Sequence, residues 1–466
     1  MSVLSSGAHP FHTCAPDHEW VLIDDAVLPA ARHLTGDDAR HVLDAVVQAA
    51  EGRLEAVRPS HVQYRPGSEL VVRYETTVSW RGAAPVAETL LAATTSRGPL
   101  PGTVPLVAET DDGQLHVGVW RWPFDPILPG LGAAVTATGI SAILGVDPRS
   151  VRLEVVAYRP TERAVVRATT DRGSTHYVKV VRPDAVGSLV ERHVRLAATG
   201  VPVPVVTSHD PTTGIIVMDE LTGATLRERL KRDLPPWPGA AEFRRLTATL
   251  AAAPLQDVTP VRGRLSDALG HARMLAEIAP ARISQLERLT ERLRSAAERS
   301  DQRRGAIVHG DLYEAQLIVD GPRIVGLLDI DDVGPGDPLD DLATVLGHLR
   351  YRAGTTRTNA ARLSSYADEL RQGFCTDGHD GPAVEPDELD LVTGAVLIGL
   401  ATGPFRIQQR DWSAAVGCHL DTAEALMQMR TVSAPHHRNA IHPCENGGIR
   451  SVSVRSNEHL DPLEGS

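Results

Sequence analysis

The chain has 466 residues, 47 Lys plus Arg against 59 Asp plus Glu, a formal net charge of −12 and a hydrophobic content of 42%. That length fills two or three domains with well-packed cores, and the acidic balance argues against nonspecific nucleic-acid binding, which needs a basic footprint. No apolar run approaches membrane-spanning length; the best is Ala395-Val396-Leu397-Ile398-Gly399-Leu400-Ala401. The first residues lack a basic region followed by an apolar core, and four scattered cysteines (Cys14, Cys375, Cys418, Cys444) suit a reducing compartment. A cytoplasmic protein with neither nucleic acid nor membrane as partner is the expectation.

In chain order, residues 1–18 read as a flexible N-terminus and 19–132 as an N-terminal domain. Asp37-Asp38-Ala39-Arg40 leads into a helical spacing of Val42, Leu43, Val46 and Val47. From about 59 to 123 the chain is β-rich and echoes residues 151–221. Tyr64-Arg65-Pro66 through Val71-Val72-Arg73 parallels Tyr158-Arg159-Pro160 through Val165-Val166-Arg167. Val117-Gly118-Val119-Trp120 likewise parallels Ile215-Ile216-Val217-Met218. Two β-rich segments align by chance often enough, but the repeated Tyr-Arg-Pro favours a duplication. The first copy contains no lysine and reads as a degenerate unit that packs, caps or forms a homodimer. Residues 133–150 read as a link.

The second β-rich unit, 145–222, holds one of only two lysines in the chain, Lys179, within the strand-like Tyr177-Val178-Lys179-Val180-Val181. A chain that otherwise uses arginine keeps here a compact point charge suited to phosphate. Lys231, in Arg229-Leu230-Lys231-Arg232-Asp233, reads as an exposed helix face. Glu191 follows in a helix whose apolar positions are 189, 190, 194 and 196. Ile215-Ile216-Val217-Met218-Asp219-Glu220-Leu221 then gives a buried strand and a hinge.

Residues 223–432 are mostly helical, as in the amphipathic stretch from Ile283 to Leu293. They are interrupted by His309-Gly310-Asp311-Leu312-Tyr313-Glu314-Ala315-Gln316. Two apolar runs around Asp320-Gly321 form a hairpin, with Gln316 and Asp329 roughly opposite at its open end. Asp311, Gln316 and Asp329 are the groups needed to hold a divalent metal and orient a hydroxyl. Asp337-Pro338 starts the next helix, with Asp337 at the N-cap and acidic residues favoured by the dipole; Asp331, Asp332 and Asp340 read equally as solvated helix start or function. Residues 433–466 read as a disordered tail, in which His436, His437, His442 and Cys444 show no repeated ligand spacing.

This pattern resembles the kinase-like phosphotransferases, the aminoglycoside phosphotransferase and choline kinase group. It shares their His-Gly-Asp, a hairpin ending in an aspartate, here Asp329 where the family has Ile-Asp, and Gly336-Asp337-Pro338 before Asp341-Leu342-Ala343. Gln316 stands where the family has Asn, a departure shared by maltokinase-like members. The resemblance implies an α+β, bilobal protein-kinase-like fold, with a small β-rich N-lobe, a mostly helical C-lobe and here an additional N-terminal β-rich domain. It implies ATP and Mg²⁺ as cofactors and a small-molecule hydroxyl as phosphate acceptor: an amino sugar, sugar or amino alcohol. Asp311 becomes the catalytic residue, Gln316 and Asp329 the metal ligands, and Lys179 the phosphate contact held by Glu191. Thr161 and Arg163 lie in the loop over the phosphates, and Asp219 and Leu221 flank the adenine. Only seven residues separate Asp329 from Asp337, too few for the activation segment of a protein kinase. The acidic run after Asp329 suits a cationic acceptor. A nucleotide-binding regulatory protein without turnover is the rival reading.

Overall fold

The computed structural model describes residues 22–110, 113–300, 305–356, 358–376 and 383–428. The segments read as flexible termini, with the histidines after 433, lie outside the described residues.

The chain opens with α1 (Ala31–Leu34) and α2 (Ala39–Ala49), then β1 (Gly52–Arg65), β2 (Glu69–Trp80), β3 (Val86–Thr95), β4 (Val104–Thr110) and β5 (Gly113–Arg121). Next come α3 (Leu131–Ala134), α4 (Ala137–Leu144), β6 (Val151–Arg159), β7 (Arg163–Thr170) and β8 (Thr175–Val181). After α5 (Val186–Ala198) follow β9 (Val206–Asp210) and β10 (Ile215–Asp219). The first sheet runs β1-β2-β3-β5-β4 and the second β6-β7-β8-β10-β9, the same order in two successive copies.

The repetition extends to side chains. Asp25 Oδ2 accepts hydrogen bonds from the Tyr64 hydroxyl (3.0 Å) and the Gly67 amide (2.7 Å). Asp125 Oδ2 does the same for the Tyr158 hydroxyl and the Thr161 amide, both at 2.8 Å. Gly67 and Thr161 hold the same left-handed turn, at φ 67° and 65°, a conformation that favours glycine and strains a β-branched residue. Residues 133–150, read as a link, hold the end of α3 and all of α4, whose apolar side chains pack against both sheets. Leu131, Ala134 and Ile140 are fully buried, and Thr136 caps α4, accepting from the Gly139 amide at 3.2 Å.

The two sheets differ in what covers them. Leu128, Leu131, Ala134 and Ile140 form one apolar cluster with Val71, Leu91, Ala93 and Trp120 of the first sheet and Val166, Val178, Val180 and Val217 of the second. The opposite face of the second sheet meets α5 through Val181, Ile216 and Met218. Side chains alternate along a strand, so Lys179 points to this opposite side.

The helical lobe begins with β11 (Ala224–Thr225), α6 (Leu226–Lys231), α7 (Ala240–Ala251), α8 (Arg264–Ile278) and α9 (Ile283–Ser300). Then come β12 (Ala306–Val308), β13 (Leu317–Asp320), β14 (Arg323–Leu327) and β15 (Gly334–Gly336). It ends with α10 (Pro338–Thr355), α11 (Ala360–Phe374), α12 (Pro386–Leu400), α13 (Gly403–Arg406) and α14 (Trp412–Gln428). A capping box closes α6, with Thr225 and Glu228 bonding each other's amides. Contrary to the expectation from apolar runs, one stretch among the described residues, Pro386–Arg406, is long and apolar enough to cross a membrane; 72% of its apolar window is buried inside the protein, as befits a central core helix. The whole is an α+β bilobal kinase-like fold carrying an extra N-terminal β-rich unit.

Candidate active site

β13 and β14 pair with Leu317 opposite Leu327 and Asp320 opposite Arg323, turning at Gly321 in a left-handed conformation. The register continues beyond the strands, where the Leu328 amide donates to the Gln316 carbonyl at 2.8 Å. Gln316 Nε2 and Asp329 Oδ2 are thereby 3.4 Å apart. Asp329 is held at φ 51°, a sparsely populated conformation for a residue with a side chain.

The loop before the hairpin is braced from beneath. His309 is fully buried; its Nε2 lies 2.9 Å from the Leu328 carbonyl, and its Nδ1 accepts from the Asp311 amide at 3.2 Å. The ring therefore positions Asp311 and has no solvent-facing nitrogen for proton transfer. Asp341, also fully buried, accepts from the amides of His309 (2.7 Å) and Gly310 (2.9 Å). Arg264 donates to Asp311 Oδ1 at 2.9 Å and to the Gly310 carbonyl. Its Nε meets the Thr344 hydroxyl at 3.0 Å.

Lys179, with its side chain 7% exposed, donates to Asp329 Oδ1 at 2.9 Å and also to Asp331. Arg163 reaches Asp329 Oδ2 at 2.8 Å and Asp331 Oδ2 at 3.3 Å. Two cations thus share two carboxylates. Burial is the largest single influence on Asp329 and raises its pKa, yet the charges of Lys179 and Arg163 outweigh it and hold the carboxyl below its ordinary range. Burial likewise opposes the charge on Lys179, and Asp329 and Asp331 overcome it.

The structure brings Lys179, Arg163, Asp311, Gln316 and Asp329 together and corrects two assignments. Glu191 does not hold Lys179: its side chain is 65% exposed, and it pairs with Arg195 at 3.4 Å. The buried residues of α5 are Val186, Leu189, His193 and Leu196, so the helix is rotated from the phase its valines suggest. His193 takes an inner position by bonding the Pro204 carbonyl at 3.0 Å, while Val194 faces solvent. Thr161 offers no amide to a phosphate, since its N–H is held by Asp125 and its hydroxyl donates to the Pro160 carbonyl at 2.6 Å. At the hinge, the Asp219 amide donates to the Val205 carbonyl (3.0 Å) and the Glu220 amide to the Thr175 carbonyl (3.3 Å). An adenine contact at Asp219 is restricted to its carbonyl, beside Leu221.

Four residues that sequence reasoning did not place are Asp331 on Lys179, Arg264 on Asp311, the bracing Asp341, and Arg192, which donates from α5 to the Asp331 carbonyl. Asp341 was foreshadowed by the Asp-Leu-Ala segment; nothing local marks Arg264 or Arg192. Asp329 and Gln316 present hard oxygen donors suited to Mg²⁺. Among the described residues no group of three or more His, Cys, Asp or Glu forms a metal cage. An ion at Asp329 would therefore complete its shell from phosphate and water oxygens, the usual habit of Mg²⁺.

The site is thus a buried lysine facing a hairpin aspartate, above a braced His-Gly-Asp loop. Residues 160–381 match the model of the phosphotransferase enzyme family, APH. Over this segment, a little under half of its length, the chain is similar to that family of phosphotransferases, which supports a small-molecule kinase. Among solved structures, the chain is similar to aminoglycoside phosphotransferase APH(3'')-Id from Streptomyces rimosus in complex with ADP and streptomycin. The identity is 20%, covering 52% of this chain and 92% of that one, with a TM-score of 0.36. It is also similar to a choline/ethanolamine kinase family protein from Mesorhizobium loti, at 19% identity over 63% and 94% of the two chains, with a TM-score of 0.43. Aminoglycoside phosphotransferase APH(2'')-Ib in its ADP-bound form is similar at 14% identity over 62% and 97%, also with a TM-score of 0.43. A search of curated protein sequences finds no significant match.

Proposed function

We propose that the protein transfers the γ-phosphoryl group of ATP, with Mg²⁺, to a hydroxyl of a sugar, amino sugar or amino alcohol. The observation that carries this reading is the meeting of Lys179 and Gln316 at Asp329, at 2.9 and 3.4 Å, beside a cavity lined by Asp311. Lys179 exchanges its bond to Asp331 for phosphate oxygens and keeps its charge beside Asp329. Asp329 and Gln316 hold the ion, which when bound neutralises phosphate charge. Asp311, fixed by Arg264, accepts a hydrogen bond from the acceptor hydroxyl and aims its oxygen at phosphorus. The new O–P bond forms as the bond from phosphorus to the bridging oxygen of ADP breaks, and the hydroxyl proton passes to Asp311 and then to solvent. Positioning and charge neutralisation supply most of the acceleration in such reactions.

The test is the melting temperature with ATP alone and with ATP plus Mg²⁺, for the wild type and Asp329→Ala. A ligand at 100 times its dissociation constant stabilises by about 2.7 kcal/mol. Mg²⁺ is expected to add a stabilisation that Asp329→Ala removes. Equal stabilisation of both proteins by ATP, with nothing added by Mg²⁺, would sink the assignment.

A further inference from the structure

The turn between β6 and β7 delivers Arg163 to the site, and its backbone runs against the preference of its sequence. Thr161 sits at φ 65° where the first copy has Gly67 at 67°, and a β-branched residue stays in that region only where its surroundings hold it. Asp125 supplies one restraint through the Thr161 amide. The next residue, Glu162, supplies a second, and two of its three partners come from the other repeat.

Glu162 Oε1 accepts from Gln63 Nε2 at 2.8 Å and from the Arg65 guanidinium. Its Oε2 accepts from Arg159 Nη1, within its own hairpin, at 3.3 Å. Gln63 and Arg65 lie two apart on β1 and so share a face, while Tyr64 between them turns to Asp25. Arg65 is steadied by Glu69 Oε1 at 2.6 Å, so its fork is shared between a carboxylate of its own hairpin and one of the next. The relation runs one way. Aligning Tyr64-Arg65-Pro66 with Tyr158-Arg159-Pro160 sets Ser68 against Glu162 and Glu69 against Arg163. The copy with the glycine turn carries a serine where the copy with the strained turn carries the gripped carboxylate.

β1 has a second footing, against α13 of the helical lobe, the lobe that carries Asp329. Arg163 must reach from the second sheet to Asp329, which it does at 2.8 Å. A strand that touches both bodies limits how far that span can open. We infer that β1 of the N-terminal unit is a strut for the nucleotide side of the site, with Gln63 and Arg65 acting as positioning residues that hold Arg163 beside Asp329 through Glu162. The inference rests on the phosphotransferase reading above and gives the lysine-free repeat a part in it. Nucleotide phosphates arriving at Lys179 and Arg163 meet a turn already in place, so the cost of ordering it on binding is avoided.

The deciding experiment is calorimetric binding of ADP with Mg²⁺ to the full chain and its variants, with melting curves to show that each variant folds. Glu162→Ala, which releases all three donors, should weaken ADP by about tenfold. Arg65→Gln, at an exposed side chain, should weaken it by about three- to fivefold. Arg65→Lys keeps the charge and should recover most of the affinity. In the Glu162→Ala background Arg65→Gln should change nothing further, since the contact it removes is already gone. Arg53→Gln is the control: it breaks a 2.6 Å pair with Glu55 on the same strand and should leave ADP affinity at the wild-type value. The inference is overturned if Glu162→Ala and Arg65→Gln both keep wild-type affinity, or if Arg53→Gln weakens ADP as much as Arg65→Gln does. Either outcome leaves the phosphotransferase reading standing, because the wild type still binds ADP. A wild type that binds no ADP, with or without Mg²⁺, removes that reading and the strut's purpose with it.

Discussion

The two five-stranded units share a strand order, a left-handed turn and an aspartate that clasps tyrosine and turn, yet only one carries a site. Their registers locate the difference. In the second sheet Lys179 lies opposite Val165 and Ile216; in the first, the matching position opposite Val71 and Gly118 is Ala93. Lys179 looks out at Asp329 and Asp331, whereas Ala93 is fully buried in the apolar layer shared with α3 and α4. The comparison teaches that the scaffold and the chemistry are separable. The scaffold persists because its hydrogen bonds close locally, and the chemistry persists only where a second lobe brings carboxylates to the lysine.

Exchanging the two residues breaks the comparison most severely. Ala93→Lys would bury an ammonium with no carboxylate partner and is expected to cost on the order of 3–5 kcal/mol, read as a large drop in the denaturant midpoint. Retention of the wild-type midpoint would show that the first sheet is open at this face. Lys179→Ala should leave a folded protein and lower kcat by about 10²–10³, the usual effect of removing one transition-state electrostatic contact. Asp311→Asn is expected to lower kcat by about 10²–10⁴ with little change in nucleotide affinity.

Smaller changes sharpen the comparison. Tyr64→Phe and Tyr158→Phe each remove one bond to the clasping aspartate and should cost about 1 kcal/mol apiece. Only the second should also alter the KM for ATP, because only its turn adjoins Arg163; equal kinetic effects from both would contradict that division. Asp340 gives a pH signature. Its carboxyl is raised to about 7, chiefly by burial and then by the charge of Asp337. The folded state therefore holds a proton that the unfolded chain releases near pH 4, and stability falls as pH rises from about 4 to 7. Asp340→Asn should stabilise the protein by an amount that grows across that window and is constant above it, as seen in melting temperatures at pH 5 and 8.

What could be read from the sequence was what lies close in sequence. Asp311, Gln316 and Asp329 fall within one loop and one hairpin, so the register of a tight turn fixes their proximity. Lys179 stood out because arginine is used almost everywhere else. Glu191 was misplaced because helix phase was taken from valines, and a buried histidine bonded to a carbonyl reversed which of them faced inward. Thr161 was misread because the group that occupies its amide, Asp125, lies outside the motif and is recognisable only beside its counterpart Asp25. Arg264 and Arg192 meet the site from distant segments, and no local pattern distinguishes them from the many other arginines of this chain.

The shared layer around α3 and α4 has a consequence for modularity. Those helices pad one sheet and plug the other, so the boundary between the repeats is a seam with apolar surface on both sides. Cutting the chain near residue 122 would strip Val71, Leu91 and Trp120 from one piece of their cover and expose Leu128 and Leu131 on the other. The N-terminal unit, though it has no lysine, is in this sense a permanent splint. It cannot be discarded as cargo without leaving its lysine-bearing sibling sticky and half-dressed.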